Sequence, residues 1–281
     1  MKRMFQIIGM ISLICVSFFL TEKTVDVVKD TDQIMIKIKE KRDELVELPI
    51  DAVMKEDTII PGICGKTVDI KKSYEKMKRY GDYLDSLLEF KKVSPNVSLS
   101  NHYDKYVIGG NPKKNMVSLL FIVKEDTDIE PFLKKLEKTN TKVTFFLDGN
   151  WFENHNAKVL ELMDQGYEIG NYSIQNNYQD SSFVWMDTII KKLGKQKQSY
   201  CYMEEKKEDD LMICMMNKDY TIMPNIRIQN YPLKEIKEQL QAGSIISLPM
   251  NQKVLEELSS IISYIESKGY TIELLKTHLE E

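Results

Sequence analysis

The chain has 281 residues, 39 basic and 43 acidic side chains for a formal net charge of −4, and 42% hydrophobic residues. That is apolar material for one globular core plus an extension, and an acidic balance without a long basic stripe argues against a nucleic-acid partner. The four cysteines, Cys15, Cys64, Cys201 and Cys214, show no C-x-x-C spacing, which excludes a zinc knuckle and a thioredoxin motif.

At the N-terminus, Met1-Lys-Arg-Met4 precedes an apolar run over residues 5–20, broken only by Gln6, Gly9 and two serines. A basic start followed by such a run is a membrane-targeting signature. The exit Phe18-Phe-Leu-Thr-Glu22 lacks the small residues a cleavage site needs, and Leu13-Ile14 ahead of Cys15 do not suit a lipoprotein site. An uncleaved single-pass anchor over residues 1–21 is therefore expected, with Lys2 and Arg3 inside and the rest of the chain outside the membrane.

Residues 22–60 are rich in Lys, Asp and Glu, with Val28, Met35, Ile38, Leu45 and Leu48 near heptad spacing, which predicts a helical stalk able to pair with a second copy. Ile34, Ile36 and Ile38 also alternate, so a strand competes there. Ile60-Pro-Gly-Ile-Cys-Gly65 is a turn-rich hinge. Asp69–Tyr80 then has an amphipathic helical pattern, with Ile70, Tyr74 and Met77 on one face and Gly81 as its stop. Two further strands are expected between Glu89 and Ile108. Residues 61–112 thus form a small α+β segment ending in the Gly109-Gly-Asn-Pro112 turn.

Residues 113–281 alternate. Seven β-like runs (Val117 to Val123, Val143 to Leu147, Tyr167 to Asn171, Ser199 to Met203, Thr221 to Pro224, Ser244 to Leu248 and Thr271 to Leu274) enclose or flank six helix-like segments. Those are Ile129 to Lys138, Asn154 to Gln165, Phe183 to Leu193, Glu208 to Asn217, Leu233 to Gln241 and Val254 to Ser267. Strict β-α alternation predicts a parallel sheet, and the near-continuously apolar strands suit burial on both faces. Gly166, Gly243 and Gly269 follow the last apolar turns of three helices. Periodicity alone fits a closed barrel and an open doubly wound sheet equally well.

The strand Lys142-Val-Thr-Phe-Phe-Leu-Asp-Gly149 runs through a helix into Gly166-Tyr-Glu-Ile-Gly-Asn-Tyr-Ser-Ile-Gln-Asn176. Together they resemble the K-A-T-F-F-x-x-G strand and G-H-E-I-G-N-H-T-x-x-H loop of the polysaccharide deacetylase family, a carbohydrate esterase type. The resemblance implies an irregular seven-stranded (β/α) barrel and a hydrolase acting on the C–N bond of N-acetyl sugars, with zinc or another divalent metal as cofactor. Tyr172 and Asn176 stand where that loop has its two metal-binding histidines. Upstream, Val117-Ser-Leu-Leu-Phe-Ile-Val-Lys124 matches the family's V-x-L-T-F-D-D-G, so Ile122 and Val123 replace the aspartates that act as base and metal ligand. Downstream, Ser199-Tyr-Cys-Tyr-Met-Glu-Glu205 falls on the R-x-P-Y-G loop, with Cys201 at the arginine. Gly243-Ser-Ile-Ile-Ser-Leu-Pro-Met250 falls on G-S-I-I-L-L-H-D, with Pro249 at the acid histidine.

Deacetylation by this route needs a metal to polarise the amide and activate water, a base for that water and an acid for the leaving amine. A phenol that keeps its proton, a neutral amide and two aliphatic side chains supply none of these. The domain is thus identified as a degenerate member of the family, a pseudoenzyme without metal or catalytic residues. As a reading from the residues, a new site could instead form from Glu125, Asp126, Asp128, Asp148 or His155. The acidic cluster more simply caps the next helix, and a lone histidine is more simply solvated. Cys201 without a neighbouring histidine is expected to be a buried inert thiol.

Sugars stack on aromatic faces, which makes Trp151, Tyr172 and Tyr202, with Asn176, the glycan-binding candidates; the competing account is ordinary core packing. Three functions follow. The first is a membrane-anchored, extracytoplasmic and catalytically inactive deacetylase-like protein of a Gram-positive bacterium that binds cell-wall glycan or peptidoglycan. The second is a protein-interaction scaffold with an envelope protein partner. The third is an active deacetylase with relocated ligands.

Overall fold

The computed structural model describes residues 31–179, 181–194 and 198–281, which fall into two compact units. The apolar run at residues 5–20 and Val28 lie outside the described residues. Among the described residues, no helix is long and apolar enough to cross a membrane.

One unit comprises the described residues up to Pro49 together with Cys64–Ser94. Helix α1 (Gln33–Glu44) begins on Asp32, whose Oδ1 accepts the Ile34 N–H at 2.9 Å. Helix α2 (Ile70–Tyr80) begins on Asp69 and stops at Gly81, whose φ of 99° suits a residue without a Cβ. Ile34, Met35 and Ile38 of α1 form one apolar face and share a small core with Val68, Tyr74 and Met77. The antiparallel pair β3 (Gly65–Val68) and β4 (Phe90–Val93) completes the unit. The helical period therefore prevails over the Ile34/Ile36/Ile38 alternation. Met35 and Ile38, read from the sequence as a self-pairing seam, are buried within the chain, whereas Leu48 is 80% exposed. The segment expected as stalk also supplies a hairpin, β1 (Val53–Lys55) and β2 (Thr58–Ile60), to the other unit.

That unit, Ile50–Ile63 with Pro95–Glu281, carries β5 (Tyr106–Val107), β6 (Met116–Val123), α3 (Glu130–Lys138), β7 (Thr144–Leu147), α4 (Gly149–Asn154), α5 (Asn156–Asp164), β8 (Glu168–Asn171) and α6 (Ser182–Leu193). It continues with β9 (Tyr200–Tyr202), α7 (Glu208–Met216), β10 (Tyr220–Ile222), β11 (Ile226–Arg227), α8 (Pro232–Gln239), β12 (Ile245–Pro249), α9 (Gln252–Ser267), β13 (Thr271–Ile272) and α10 (Leu275–His278). The strand order is β1-β2-β5-β10-β9-β8-β7-β6-β12-β11, with β13 beside the start of β6. Every pairing except β1–β2 is parallel.

All seven expected strands of the alternating half are present, but the path is open, with β1 and β11 at its ends. The sheet is a curled half-barrel rather than a closed seven-stranded barrel. The expected helix from Asn154 to Gln165 is present as α5, a further short helix α4 precedes it, and His155 sits at their junction rather than inside a helix.

Side chains alternate across the sheet as the pleat requires. Leu119, Phe121 and Val123 of β6 join Phe145, Trp151, Leu258 and Ile261 on the helix side. Leu120 and Ile122 face inward with Phe146, Tyr172, Tyr200, Tyr202 and Leu275. Glu168 is buried in β8 and caps α10. Its Oε2 accepts Thr144 Oγ1 at 2.7 Å and the Leu275 N–H at 2.8 Å, and its Oε1 accepts the Lys276 N–H at 3.1 Å. Burial pushes its pKa up, and these donors oppose the shift.

Candidate functional site

The register gathers the degenerate positions at the C-terminal ends of the strands, where parallel α/β sheets hold their ligands. Pro249 of β12 pairs with Ile122 of β6, Val123 with Leu147, Leu147 with Asn171 and Asn171 with Cys201. Ile122 faces the inner cluster, whereas Val123 points into the helix-side core and is fully buried.

The loop after β8 has an unusual backbone, with Ser173, Gln175 and Asn176 at φ of 57°, 51° and 60°. Such values are strained for residues with a Cβ and persist only when neighbours fix them. Asp148 fixes this loop from the end of β7. Its Oδ1 accepts the Asn150 N–H at 2.9 Å and caps α4, while its Oδ2 accepts the Gln175 N–H at 2.7 Å. The Gly149 N–H also donates to Ser173 O at 2.8 Å. Asn171 Oδ1 accepts the Ser173 N–H at 2.8 Å. The Tyr178 hydroxyl lies 2.9 Å from both Asn171 O and Tyr202 O and accepts the Tyr202 N–H at 2.8 Å, joining the ends of β8 and β9. The Asn176 Oδ1 is buried without a hydrogen-bond partner.

Aromatic rings fill the inner face. Tyr202 packs at 5.3 Å from Phe146 and 5.7 Å from Tyr172 between ring centroids, and its hydroxyl meets Ser247 Oγ at 2.8 Å. Burial, reinforced by the negative charges of Glu204 and Asp148, pushes the Tyr172 phenol up to about 12. Above this packing lie two adjoining clefts that share Lys124, Thr127 and Met250. One of about 690 Å³ is bordered by Glu125, Asp126, Asp128, Asp148, Tyr172 and Gln175. The other, of about 360 Å³, is bordered by Ile122, Tyr202, Glu204, Arg227, Ser247 and Pro249.

Tyr172 and Tyr202 are thus neighbours at the mouth, but Trp151 is not with them. It is 2% exposed, belongs to the helix-side core, donates from its indole N–H to Thr127 O at 3.0 Å and stacks on His155 at 4.4 Å. His155 Nδ1 lies 2.9 Å from Trp151 O at the end of α4. Of the acidic cluster, Asp128 alone meets the start of α3, its Oδ1 accepting the Glu130 N–H at 3.0 Å ahead of the N-cap Ile129, while Glu125 Oε2 accepts Asn150 Nδ2 at 3.1 Å. Cys201 is not the free thiol expected from sequence. It forms a disulfide with Cys214, both fully buried, which ties β9 to α7.

The donor set does not fit the family's metal. Ile122 and Val123 offer no donor atom, Tyr172 holds its proton far above neutral pH, and both oxygens of Asp148 are committed to backbone amides. Among the described residues, no group of three or more His, Cys, Asp or Glu side chains is placed to hold a metal ion. Sequence reasoning missed Lys124 and Arg227 at the mouth. The signal for Arg227 was slight, an arginine between Ile226 and Ile228 in a two-residue strand.

The family model described as polysaccharide deacetylase matches residues 109–212. The uncharacterized Bacillus subtilis (strain 168) protein YlxY is 28% identical over 92% of this chain and 87% of its own length. In three dimensions the chain is similar to BA3943 of Bacillus anthracis, described as a CE4 family pseudoenzyme. The TM-score is 0.65 at 23% identity, over 89% of this chain and 96% of that one. A BA3943 mutant described as having restored enzymatic activity superposes equally well. The similarity extends to Bacillus subtilis PdaA, a family 4 carbohydrate esterase, at a TM-score of 0.55 and 19% identity, over 82% of this chain and 97% of that one.

Proposed function

We propose that this chain, matched over residues 109–212 by the polysaccharide deacetylase family model, is a degenerate, catalytically inactive member of that family that binds cell-wall glycan or peptidoglycan at the mouth of the half-barrel, outside the cell membrane. One observation carries this reading: the mouth keeps two clefts of ligand size while the catalytic and metal-binding positions carry Ile122, Val123, Tyr172, Asn176 and Pro249. A solved protein of this fold is itself described as a CE4 family pseudoenzyme, which supports the loss of activity proposed here. The Cys201–Cys214 disulfide supports an oxidising, extracytoplasmic compartment, in keeping with an anchor at residues 5–20.

The test is co-sedimentation of the full chain with purified insoluble peptidoglycan, with and without EDTA, alongside an assay for released acetate. Binding indifferent to EDTA and no acetate release is expected. Acetate released in a metal-dependent way would sink the proposal in favour of relocated ligands. The filled inner face around Tyr202 favours a second reading, an envelope scaffold, which retention of a membrane protein without any peptidoglycan binding would support.

A further inference from the structure

We propose that the smaller cleft receives the carboxylate of an acidic sugar, held between Lys124 and Arg227. The inference rests on the glycan-binding reading above and names the class of sugar within it. The cleft mixes apolar side chains, Ile122, Ile228 and Pro249 among them, with polar ones such as Tyr202 and Ser247, and it is bordered by the two exposed cations. Mixed apolar and hydroxyl groups suit the face and hydroxyls of a pyranose ring, and the cations suit an anion attached to that ring.

Arg227 lies on β11, the last strand of the open sheet, so one side of its backbone is unpaired. Its Nη1 donates to the backbone oxygen of Glu204, which fixes the guanidinium while leaving its remaining N–H groups for a ligand. Among the described residues, neither Lys124 nor Arg227 forms an ion pair with a carboxylate. Glu204 is the one acidic residue bordering the cleft, against two cations. On the other side of Lys124 the larger cleft carries Glu125, Asp126, Asp128 and Asp148. The opposed charge of the two clefts sets an orientation: a carboxylate is repelled from the larger and drawn to the smaller. Two side-chain cations thus border the smaller cleft, and what a cation without a carboxylate partner can do is hold an anion.

Calorimetric titration of the full chain tests this with four probes. These are the disaccharide of N-acetylglucosamine and N-acetylmuramic acid, the same disaccharide with its carboxyl reduced to an alcohol, N,N′-diacetylchitobiose and glycerol phosphate. The acidic disaccharide is expected to bind about tenfold more tightly than its reduced form or chitobiose, the order expected for a charged hydrogen bond. Lys124→Gln and Arg227→Gln are each expected to remove that preference, so that the acidic and reduced disaccharides bind equally. Lys124 is exposed, so Lys124→Gln keeps the test open if the Arg227 variant folds poorly. Equal affinity for acidic and reduced disaccharides would overturn the inference and leave the glycan reading standing. No binding of any sugar would overturn both. Tighter binding of glycerol phosphate than of the disaccharide would overturn the carboxylate assignment.

Discussion

The hydroxyl of Tyr202 and Oγ of Ser247 lie 2.8 Å apart, a hydrogen bond from β9 to β12 that spans the inner face of the half-barrel. β9 and β12 are separated in the sheet by β8, β7 and β6, so this contact crosses the space a wide groove would need. Tyr202→Phe keeps the ring and loses the bond, which costs about 1 kcal/mol. Tyr202→Ala also leaves a cavity beside Phe146 and Tyr172 and costs about 3–5 kcal/mol. Urea unfolding of both variants should show that ordering, and equal losses would mean that the ring contributes no packing.

Placing histidines at Tyr172 and Asn176 is expected to confer metal binding without conferring chemistry. Tyr172→His with Asn176→His places two imidazoles on the strained loop that Asp148 holds. Elemental analysis after zinc loading should find more metal in this variant than in the parent. Acetate release should stay absent, because Ile122 and Pro249 still offer neither base nor acid. Val123→Asp is expected to be the costly step, since that side chain is fully buried in the helix-side core, and an unpaired carboxylate there destabilises by several kcal/mol.

His278 is buried, its Nδ1 2.8 Å from Ser118 Oγ and its Nε2 without a partner. Burial, aided by the charge of Lys114, lowers its pKa to about 4 from 6.5. The folded state therefore binds this proton less readily than the unfolded state. The stability it confers is complete above pH 6.5 and is lost as pH falls towards 4, by roughly 3 kcal/mol. His278→Gln should flatten the dependence of the urea midpoint between pH 6.5 and 4, and an unchanged slope would assign that limb to other groups.

Asp219 titrates with the opposite sign. Burial and the nearby Asp187 charge raise it to about 7, although Lys191 lies 2.6 Å from one of its oxygens and 2.9 Å from Asp187. With the folded pKa above the unfolded 3.8, its contribution is present at low pH and lost as pH rises through 7. Asp219→Asn should raise stability at pH 8 relative to pH 5, as measured by thermal unfolding at the two values.

The disulfide closes a loop with a sequence separation of 13, for which a stabilisation of about 3 kcal/mol is the expected scale. Both sulfurs are buried, so alkylation after mild reduction should reach the partly exposed Cys64 before either of them. Early labelling of Cys201 would show that β9 and α7 separate easily.

Much of the fold was legible because long apolar strands alternate with helices: β6, β7, β8 and α9 are each announced by period and by a neighbouring turn residue. The strands that sequence did not give, β1, β2 and β11, are two or three residues long, and unlike the equally short β9, β10 and β13 they follow the preceding element without the helix-strand alternation that marks a strand. Pairing of Cys201 with Cys214 has no spacing signature, since a strand-to-helix bridge depends on tertiary placement. At the mouth, the family pattern located Ile122, Tyr172 and Pro249, whereas the aromatic argument left Trp151 between groove and core, because an aromatic beside a motif looks the same whether it faces the groove or the helix layer, and the structure places it in the core. Lys124 and Arg227 were invisible for a related reason: they are far apart in sequence, and only the β11–β12–β6 register brings their strands close.

Asp148 holds the loop of Ser173 to Asn176 with a carboxylate-to-amide bond that needs no ion. The loop is thus organised by a side chain of the protein itself, so the mouth should keep the same shape in metal-starved and metal-replete surroundings.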